Sequence, residues 1–231
     1  MPKLQSPMIK FLSTEARRVA HFSVAALALV ATQVSFAAEV YNNGAPDQVS
    51  GTQMSEQIVA EDFTLAAATT VGSFRFWSVQ QSAADYLGSV YWAVHSNVGG
   101  SPGAILFGGT TVAAAAAPTG ASTGFGYDEY LFNIDVADFL LGPGDYWLSL
   151  HNGPLTAIDP TEMLWETTAS MIGSESMYFD SVFGWLGAGT NLAFALNGPG
   201  VVDPPPGVSE PGTLALIGLA LAAARIARRR A

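Results

Sequence analysis

Two histidines, His95 and His151, stand at the ends of predicted strands and are the first candidates for chemistry. Asp145, Ser149 and His151 are residue types that hydrolases use, but the sequence lacks the Gly-x-Ser-x-Gly turn of many serine hydrolases. Ser149 and His151 would lie about 7 Å apart at the backbone of one strand, which is too far for a nucleophile and its base. The sequence therefore predicts polar residues that face solvent, and no catalytic residue.

Aromatic side chains offer a different chemistry, which is the stacking of a sugar ring on a flat apolar surface. Trp147 shares the outward face of its predicted strand with His151, and Tyr91 shares the outward face of another strand with His95. If the two strands are neighbours, these side chains form one possible glycan-binding patch. Two further tryptophans lie in or beside predicted glycine-rich loops and could serve the same purpose: Trp165 and Trp185. The alternative is that these rings are buried, as tryptophan usually is.

Carboxylates could hold calcium, which prefers hard oxygen ligands. Three pairs of acidic residues are close in sequence: Asp128 with Glu129, Asp135 with Asp138, and Asp159 with Glu162. The sequence has no Asp-x-Asp-x-Asp-Gly loop, and scattered carboxylates usually belong to a solvated surface. Cysteine is absent, which excludes disulfides, thiolate metal sites and cysteine nucleophiles. We therefore expect no cofactor, with one structural calcium ion at an unknown position left open.

Charge is distributed very unevenly along the 231 residues. Of the nine Lys and Arg, four precede residue 22 and four follow residue 224, which leaves Arg75 between them. Seventeen Asp and Glu stand from Glu39 to Asp203, so this segment has a net charge of −16. Such a charge argues against nucleic acid binding, which depends on Lys and Arg neutralising phosphate. It also repels anionic polymers, so a polysaccharide ligand must be neutral or bridged by a divalent cation.

Residues 38–200 show the sequence pattern of an all-β domain. Short runs of Val, Phe, Tyr, Trp and Thr alternate with clusters of Gly, Pro, Asn and Ser. Nine strands are predicted: Ile58–Leu65, Thr70–Val79, Gly88–His95, Ala104–Val112, Tyr127–Ile134, Asp145–His151, Met163–Thr167, Ser176–Phe179 and Asn191–Leu196. The segment from Val112 to Ala117 and the following Pro118-Thr119-Gly120 are predicted to form a loop.

Several of these strands alternate with a period of two. Four rows of apolar residues share one face of their strands: Val90, Trp92 and Val94; Tyr130, Phe132 and Ile134; Tyr146, Leu148 and Leu150; Leu192, Phe194 and Leu196. One apolar face per strand is typical of antiparallel sheets packed face to face. We therefore expect an antiparallel β-sandwich of jelly-roll type. Both faces of Thr70–Val79 carry aromatic residues, so the sequence leaves its core face open.

Residues 1–37 are predicted to be a signal peptide. A basic stretch that ends at Arg17-Arg18 leads into an apolar segment from Phe22 to Val34, and the small residues of Ser35–Ala37 form a cleavage motif. The apolar segment is too short for an ordinary membrane span. We expect this helix to direct export by the general secretory route and then to be removed.

The other end of the chain passes from a linker into a short apolar helix. Residues 201–207 contain three successive prolines, which cannot continue a helix or the interior of a sheet. Residues 213–227 are mostly apolar, and a stop-transfer cluster of arginines lies at and beyond their end: Arg225, Arg228, Arg229 and Arg230. As a helix, these 15 residues would be about 22 Å long, short of the roughly 30 Å hydrocarbon core, and we expect them to serve as a temporary anchor.

A short motif, Ser209-Glu210-Pro211-Gly212, stands between the linker and the apolar segment. With that segment and the arginines, residues 208–231 resemble the sorting signal of the PEP-CTERM proteins of Gram-negative bacteria, in which the motif is Pro-Glu-Pro. Here Ser209 stands in place of the first proline. The resemblance implies that exosortase, a membrane-embedded cysteine protease, cleaves near the motif. It implies transient residence in the inner membrane, followed by the outer surface or the extracellular matrix.

The central domain is also similar to sandwich domains of secreted bacterial proteins. The similarity is carried by Phe63 to Trp77, Tyr91-Trp92, Ser101-Pro102-Gly103 and Gly144-Asp145-Tyr146-Trp147. We therefore expect a non-enzymatic structural or adhesive component of the cell surface or extracellular polymer matrix. The alternative is a carbohydrate-binding module that uses exposed tryptophans, and a glycan hydrolase is the third possibility.

Overall fold

The described part of the chain is built from β-strands. The computed structural model describes residues 37–112, 116–156 and 161–200. Its strands, numbered in chain order, are β1 (Glu39–Asn42), β2 (Pro46–Gln53), β3 (Val59–Leu65), β4 (Thr69–Gln80), β5 (Val90–Asn97), β6 (Pro102–Thr111), β7 (Ala117–Ser122), β8 (Asp128–Leu141), β9 (Gly144–Asn152), β10 (Met163–Thr168), β11 (Met177–Asp180), β12 (Gly184–Gly187), β13 (Asn191–Leu192) and β14 (Phe194–Asn197). A short 3₁₀ turn, Ala83–Asp85, is capped by the side chain of Ser82.

The strands form two antiparallel sheets of eight and six strands. The centre of the first sheet is β4, which pairs with β8 along one side and with β14 and then β10 along the other. Strand β1 pairs with β14, and β7 pairs with β8. Strands β2 and β13 both pair with β10. The second sheet has the order β12-β11-β3-β9-β5-β6. These two sheets confirm the prediction of an all-β, antiparallel sandwich.

The core lies between the inner faces of the two sheets. The predicted apolar rows belong to one buried cluster, with Tyr146 packed against it and half-buried. Aromatic rings bridge the two layers: Phe74 of β4 lies 5.9 Å from Trp92 of β5, and Phe63 of β3 lies 6.2 Å from Phe194 of β14, between ring centroids. On β4, the strand whose core face the sequence left open, Phe74 and Phe76 point inward, which places Arg75 on the outside.

Four strands were not predicted from the sequence. The short strands β1 and β12 and the polar strand β2 lack a long apolar row, because they lie at sheet edges. The fourth, β7, corrects the prediction of a loop at Pro118-Thr119-Gly120, since it pairs with β8 with an irregular register. Proline is tolerated there because β7 is an edge strand that need not donate every backbone hydrogen bond.

The two termini of the sequence fall outside the described residues. This applies to the predicted signal peptide, to the linker at 201–207 and to the apolar segment with its arginines. Within residues 37–112, 116–156 and 161–200, no helix is long and apolar enough to cross a membrane. The signal helix, the C-terminal helix and the domain limits therefore remain predictions.

Candidate functional site

The two strands that carry the predicted glycan patch are neighbours in the second sheet. Strand β5 pairs antiparallel with β9, and the register places Tyr91 opposite His151 and His95 opposite Trp147. All four side chains lie on the face turned away from the core, because Trp92, Val94, Leu148 and Leu150 occupy the inner face. The structure thus brings together the four residues that the sequence placed on two separate strands.

This outer face is covered, so the prediction that Trp147 is exposed is wrong. The Trp147 side chain is fully buried, and its indole Nε1 donates a hydrogen bond to Asn97 Oδ1 at 3.2 Å. The hairpin of β11 and β12 provides the cover, since the Trp185 ring contacts the His95 ring with centroids 5.8 Å apart. Trp147 is therefore a packing residue of a second, smaller apolar layer outside the sheet.

The hairpin of β11 and β12 folds back over the outer face of the second sheet. In the strand order, β12 is four places from β5. At about 4.8 Å per strand, the two strands would be about 19 Å apart in a flat sheet. The 5.8 Å contact between Trp185 and His95 is far shorter, so β12 lies across the outer face rather than beyond its edge. The preceding loop follows the same face, since Ser174 N donates to both carboxylate oxygens of Asp62.

Gly173, in that loop, has no room for a side chain. Its φ of +80° is in the left-handed region, and a Cβ there would lie 2.3 Å from Asp62 Oδ1. Asp62 lies on the outer face of β3, opposite Trp147 of β9. Burial raises the pKa of Asp62, and the hydrogen bonds from Ser174 partly oppose this rise. The loop and the hairpin together close the face on which the sequence predicted an open patch.

His95 and Ser149 form a hydrogen-bonded pair that sequence spacing did not reveal. His95 Nε2 lies 2.8 Å from Ser149 Oγ, and His95 Nδ1 lies 3.1 Å from the Gly103 carbonyl oxygen. Because a carbonyl only accepts, Nδ1 carries the proton and Nε2 accepts from the serine hydroxyl. Burial lowers the pKa of His95, which favours this neutral form. Ser149 is fully buried, so in this conformation the pair stabilises the fold and is closed to a substrate.

The other histidine is equally enclosed. His151 is buried, and its Nδ1 donates to the Gly153 carbonyl at 3.2 Å. Burial lowers its pKa as well. Opposite it, Tyr91 is half-buried, and burial raises the pKa of its phenol. The prediction that the two histidines face solvent is wrong, because the sequence could not show the layer that covers them.

Trp165 is not available to a ligand, although it lies in the strand that the sequence predicted at Met163–Thr167. It belongs to β10 and faces the core. Its ring packs edge-on against Phe76 and Phe194, and its Nε1 donates to the Ala193 carbonyl at 2.9 Å. Trp165 is fully buried and offers no surface to a ligand.

Trp185 is the predicted tryptophan that retains solvent contact. It belongs to β12, where it pairs with Phe179 of β11, and the two rings meet at 5.3 Å between centroids. The turn between these strands exposes two more apolar side chains, Val182 at 78% and Phe183 at 76%, while Phe179 is 41% exposed. Asp180 fixes the turn, since its Oδ1 accepts from the backbone N–H groups of residues 182 and 183 at 2.7 and 2.9 Å. The hairpin tip therefore presents an apolar, partly aromatic surface.

Two glutamates meet on the outer face of the first sheet. Glu166 of β10 and Glu129 of β8 are both buried, and Gln48 contacts both: its backbone N–H donates to Glu166 Oε1 at 2.9 Å and its amide donates to Glu129 Oε2 at 3.3 Å. Burial, together with the negative charge of Glu129, raises the pKa of Glu166 to about 8. Among the residues that the structure describes, Glu166 Oε2 is buried with no hydrogen-bond partner, which fits a neutral carboxyl better than a charged one.

Glu129 was one of the predicted calcium ligands. Among the residues that the structure describes, no three His, Asp or Glu side chains form a group that could hold a metal ion. Asp159 lies outside the described residues, so its predicted pairing with Glu162 stays a prediction.

A third buried carboxyl, Glu61, points into the core between the sheets. It occupies the inner row of β3 between Val59 and Phe63, and burial raises its pKa to about 9. Its two oxygens accept from Asn43 Nδ2 at 3.2 Å and from the Leu192 backbone N–H at 2.9 Å. The sequence contained a signal for this residue, because alternation along Ile58–Leu65 places Glu61 in the apolar row.

The comparison with known families concerns the C-terminal end. Residues 207–231 match the PEP-CTERM protein-sorting motif. The chain carries a PEP-CTERM sorting signal. The match begins one residue before the predicted sorting signal at 208–231, and it includes the Ser209-Glu210-Pro211 motif and the four arginines after residue 224. No curated protein is significantly similar to this chain.

The PEP-CTERM motif implies how the β-sandwich reaches its destination. It indicates an exported protein that exosortase processes, by way of a membrane-anchored precursor that reaches the cell surface. The match covers the tail alone, so the role of residues 38–200 has to be argued from their own surface.

Proposed function

We propose that the protein is a structural or adhesive component of the cell surface or extracellular polymer matrix, with no enzymatic activity. The sorting motif at 207–231 is the observation that carries this proposal, since it directs the sandwich outward. The surface supports it: the histidines and Ser149 are enclosed, while apolar side chains are exposed at the hairpin tip. A net charge of −16 between Glu39 and Asp203 favours contact with neutral polymers, or with anionic polymers bridged by calcium.

The sandwich itself is proposed to be a jelly roll. Support comes from its eight principal strands, β1, β3, β4, β5, β6, β8, β9 and β14. Counted one to eight in chain order, they lie in the order 1-8-3-6 in one sheet and 2-7-4-5 in the other. Successive strands therefore alternate between the two layers, except the fourth and fifth, which pair as neighbours in one sheet, in the manner of two Greek keys.

Carbohydrate binding is the second candidate function, and the hairpin tip is where the structure favours it. Phe179 and Trp185 form a continuous aromatic pair that is partly exposed, and Phe183 stands beside them at the turn. Aromatic faces stack on the apolar side of a neutral pyranose ring. With Trp147 and Trp165 buried, Trp185 is the tryptophan on which this candidate depends.

Replacing Trp185 separates the two functions. If the tip binds sugar, Trp185→Ala should weaken binding of neutral glycans about 30-fold, since loss of a central aromatic contact costs about 2 kcal/mol. Glycan arrays with and without calcium provide the measurement, and Phe125→Ala, which removes a half-exposed ring elsewhere, is the matched control. Binding that survives Trp185→Ala would exclude the hairpin platform. Absence of binding to every glycan tested would favour the structural role.

A further inference from the structure

The first strand begins and the last strand ends at the same end of the sandwich, which we call the tether end. Gly198, the residue after β14, donates its backbone N–H to the carbonyl of Ala38, just before β1, at 2.8 Å. A Cβ at Gly198 would lie 3.8 Å from the carbonyl oxygen of Thr70, near the start of β4. The start of β4 adjoins the end of β8, since Thr69 pairs with Leu141. The chain that leads to the sorting signal therefore departs from this end.

Three connections between strands lie at the tether end in the described part of the chain, and none of them contains a charged residue. Residues 66–68 join β3 to β4, residues 98–101 join β5 to β6, and residues 142–143 join β8 to β9. The register of β9 with β3 and with β5 places all three at one end. Their sequences are Ala-Ala-Ala, Val-Gly-Gly-Ser and Gly-Pro.

The side chains at these turns are apolar and exposed. Val98 is 65% exposed, and Leu140, the last residue but one of β8, is 63% exposed. The alanines at 66–68 are exposed as well. Two carboxylates, Asp138 and Asp145, flank the turn between β8 and β9, but they belong to the strands and not to the turn. The tip of the tether end is therefore an uncharged, apolar surface.

The connections at the opposite end of the sandwich are acidic. Glu56 lies between β2 and β3, Asp85 between β4 and β5, and Glu162 between β9 and β10. Asp128 begins β8 and Asp180 ends β11, each beside a turn of that end. A membrane that contains anionic lipid repels carboxylates, so it favours approach by the tether end over approach by the opposite end.

The length of the tether keeps the tether end close to the membrane of the precursor. Fourteen residues, 199–212, separate Gly198 from the apolar segment at 213–227. Fully extended, these residues reach at most roughly 50 Å. A surface held that closely to its partner has an effective concentration in the millimolar range, so even a weak contact is populated. The same contact is lost when the tether is cut.

We propose that the tether end is a lipid-contacting surface, which rests on the bilayer that anchors the precursor. Val98, Leu140 and the alanines at 66–68 contact the headgroup boundary, while the hairpin tip, at the opposite end, points away from the bilayer. Cleavage of the tail then releases the sandwich, because the contact is too small to hold it without the tether. This goes beyond the proposed function, since it concerns the anchored precursor and does not depend on a structural or adhesive role.

Quenching by spin-labelled lipid tests the proposal on the full-length precursor. The precursor is made in a host without exosortase and reconstituted in vesicles of zwitterionic phosphatidylcholine. The chain has no cysteine, so one introduced cysteine provides one position for a fluorescent label. A label on the Ala67→Cys variant should be quenched at least about threefold more than a label on the Val182→Cys variant, which lies at the hairpin tip. Equal quenching at the two ends would overturn the proposal.

A charge at either end provides a matched pair of variants. In the Ala67→Cys chain, Val98→Asp should lower the quenching at least about threefold, because a carboxylate resists transfer out of water. Val182→Asp adds the same charge at the hairpin tip and should leave the quenching unchanged; both positions are exposed, so both variants should fold. Equal effects of the two variants would contradict the proposal. Quenching that requires exosortase in the vesicle, or a high protein density, would show that a protein covers this end and would also overturn it.

Discussion

The free energy of unfolding is expected to fall by about 4–5 kcal/mol as the pH is raised from 6.5 to 9. Glu166 and Glu61 have folded-state pKa values of about 8 and about 9, against 4.5 for an ordinary glutamate. Above pH 4.5 the unfolded chain loses these two protons while the native state keeps them. Stability therefore declines as the pH rises, until each group ionises at its folded pKa.

At lower pH the histidines change the free energy of unfolding in the opposite direction. Burial lowers the pKa of His95 and His151 below 6.5, so the unfolded chain binds protons that the native state does not. Between pH 4.5 and 6.5 the two effects oppose each other, so the decline in stability should be shallower there than above pH 6.5. Above pH 6.5 the glutamates act alone, which is why the decline is expected there.

The variant Glu166→Gln removes the ionisation of Glu166 and leaves that of Glu61 unchanged. The glutamine Oε1 can accept from the Gln48 N–H as Glu166 Oε1 does, and its amide can donate towards Glu129, as the protonated carboxyl would. We expect a gain of roughly 2–4 kcal/mol over wild type at pH 9 and little change at pH 5. Urea denaturation at the two pH values measures the difference. Glu56→Gln, at an exposed position, should show no such gain, and an equal effect of Glu166→Gln at both pH values would contradict the account.

Trp147→Ala is expected to destabilise the sandwich by about 3–5 kcal/mol. The Trp147 side chain is fully buried between the sheet and the covering hairpin. The substitution removes its packing contacts and its hydrogen bond to Asn97. A loss of that size is a large share of the stability of a domain, which is usually 5–15 kcal/mol. Thermal or chemical denaturation measures it.

Two further variants distinguish packing from ligand contact. Trp147→Phe keeps an aromatic ring and should lose only about 1–2 kcal/mol. Trp185→Ala should cost less than Trp147→Ala, because Trp185 is only partly buried on the hairpin. If Trp147→Ala folds as stably as wild type, the hairpin does not cover the sheet as described.

The sandwich could be predicted because each of its central strands has one apolar face. The alternation of Val90, Trp92 and Val94, and of Tyr130, Phe132 and Ile134, marks an inner face without reference to any partner. The edge strands carry no such mark, since neither face of β2 or β7 needs a complete apolar row. Their positions depend on neighbours that only the tertiary structure supplies.

The sequence predicted correctly which residues of the candidate site lie together, but it did not predict that they are covered. Strand alternation placed Trp147 with His151 and Tyr91 with His95, and the pairing of β5 with β9 brings these residues together. Alternation cannot show a third layer, however, and the hairpin of β11 and β12 covers the face by contacts distant in sequence. The His95–Ser149 pair was missed for the same reason, because its two residues are 54 positions apart on different strands.

The mass of the mature chain tests the central claim most directly, which is that exosortase sorts this sandwich through its C-terminal motif. Protein recovered from a host that contains exosortase should have a new C-terminus near Ser209–Pro211, while the same chain from a host without exosortase should keep its arginines. Intact-mass spectrometry distinguishes the two forms. Recovery of a chain that still ends at Ala231 in the presence of exosortase would contradict the account.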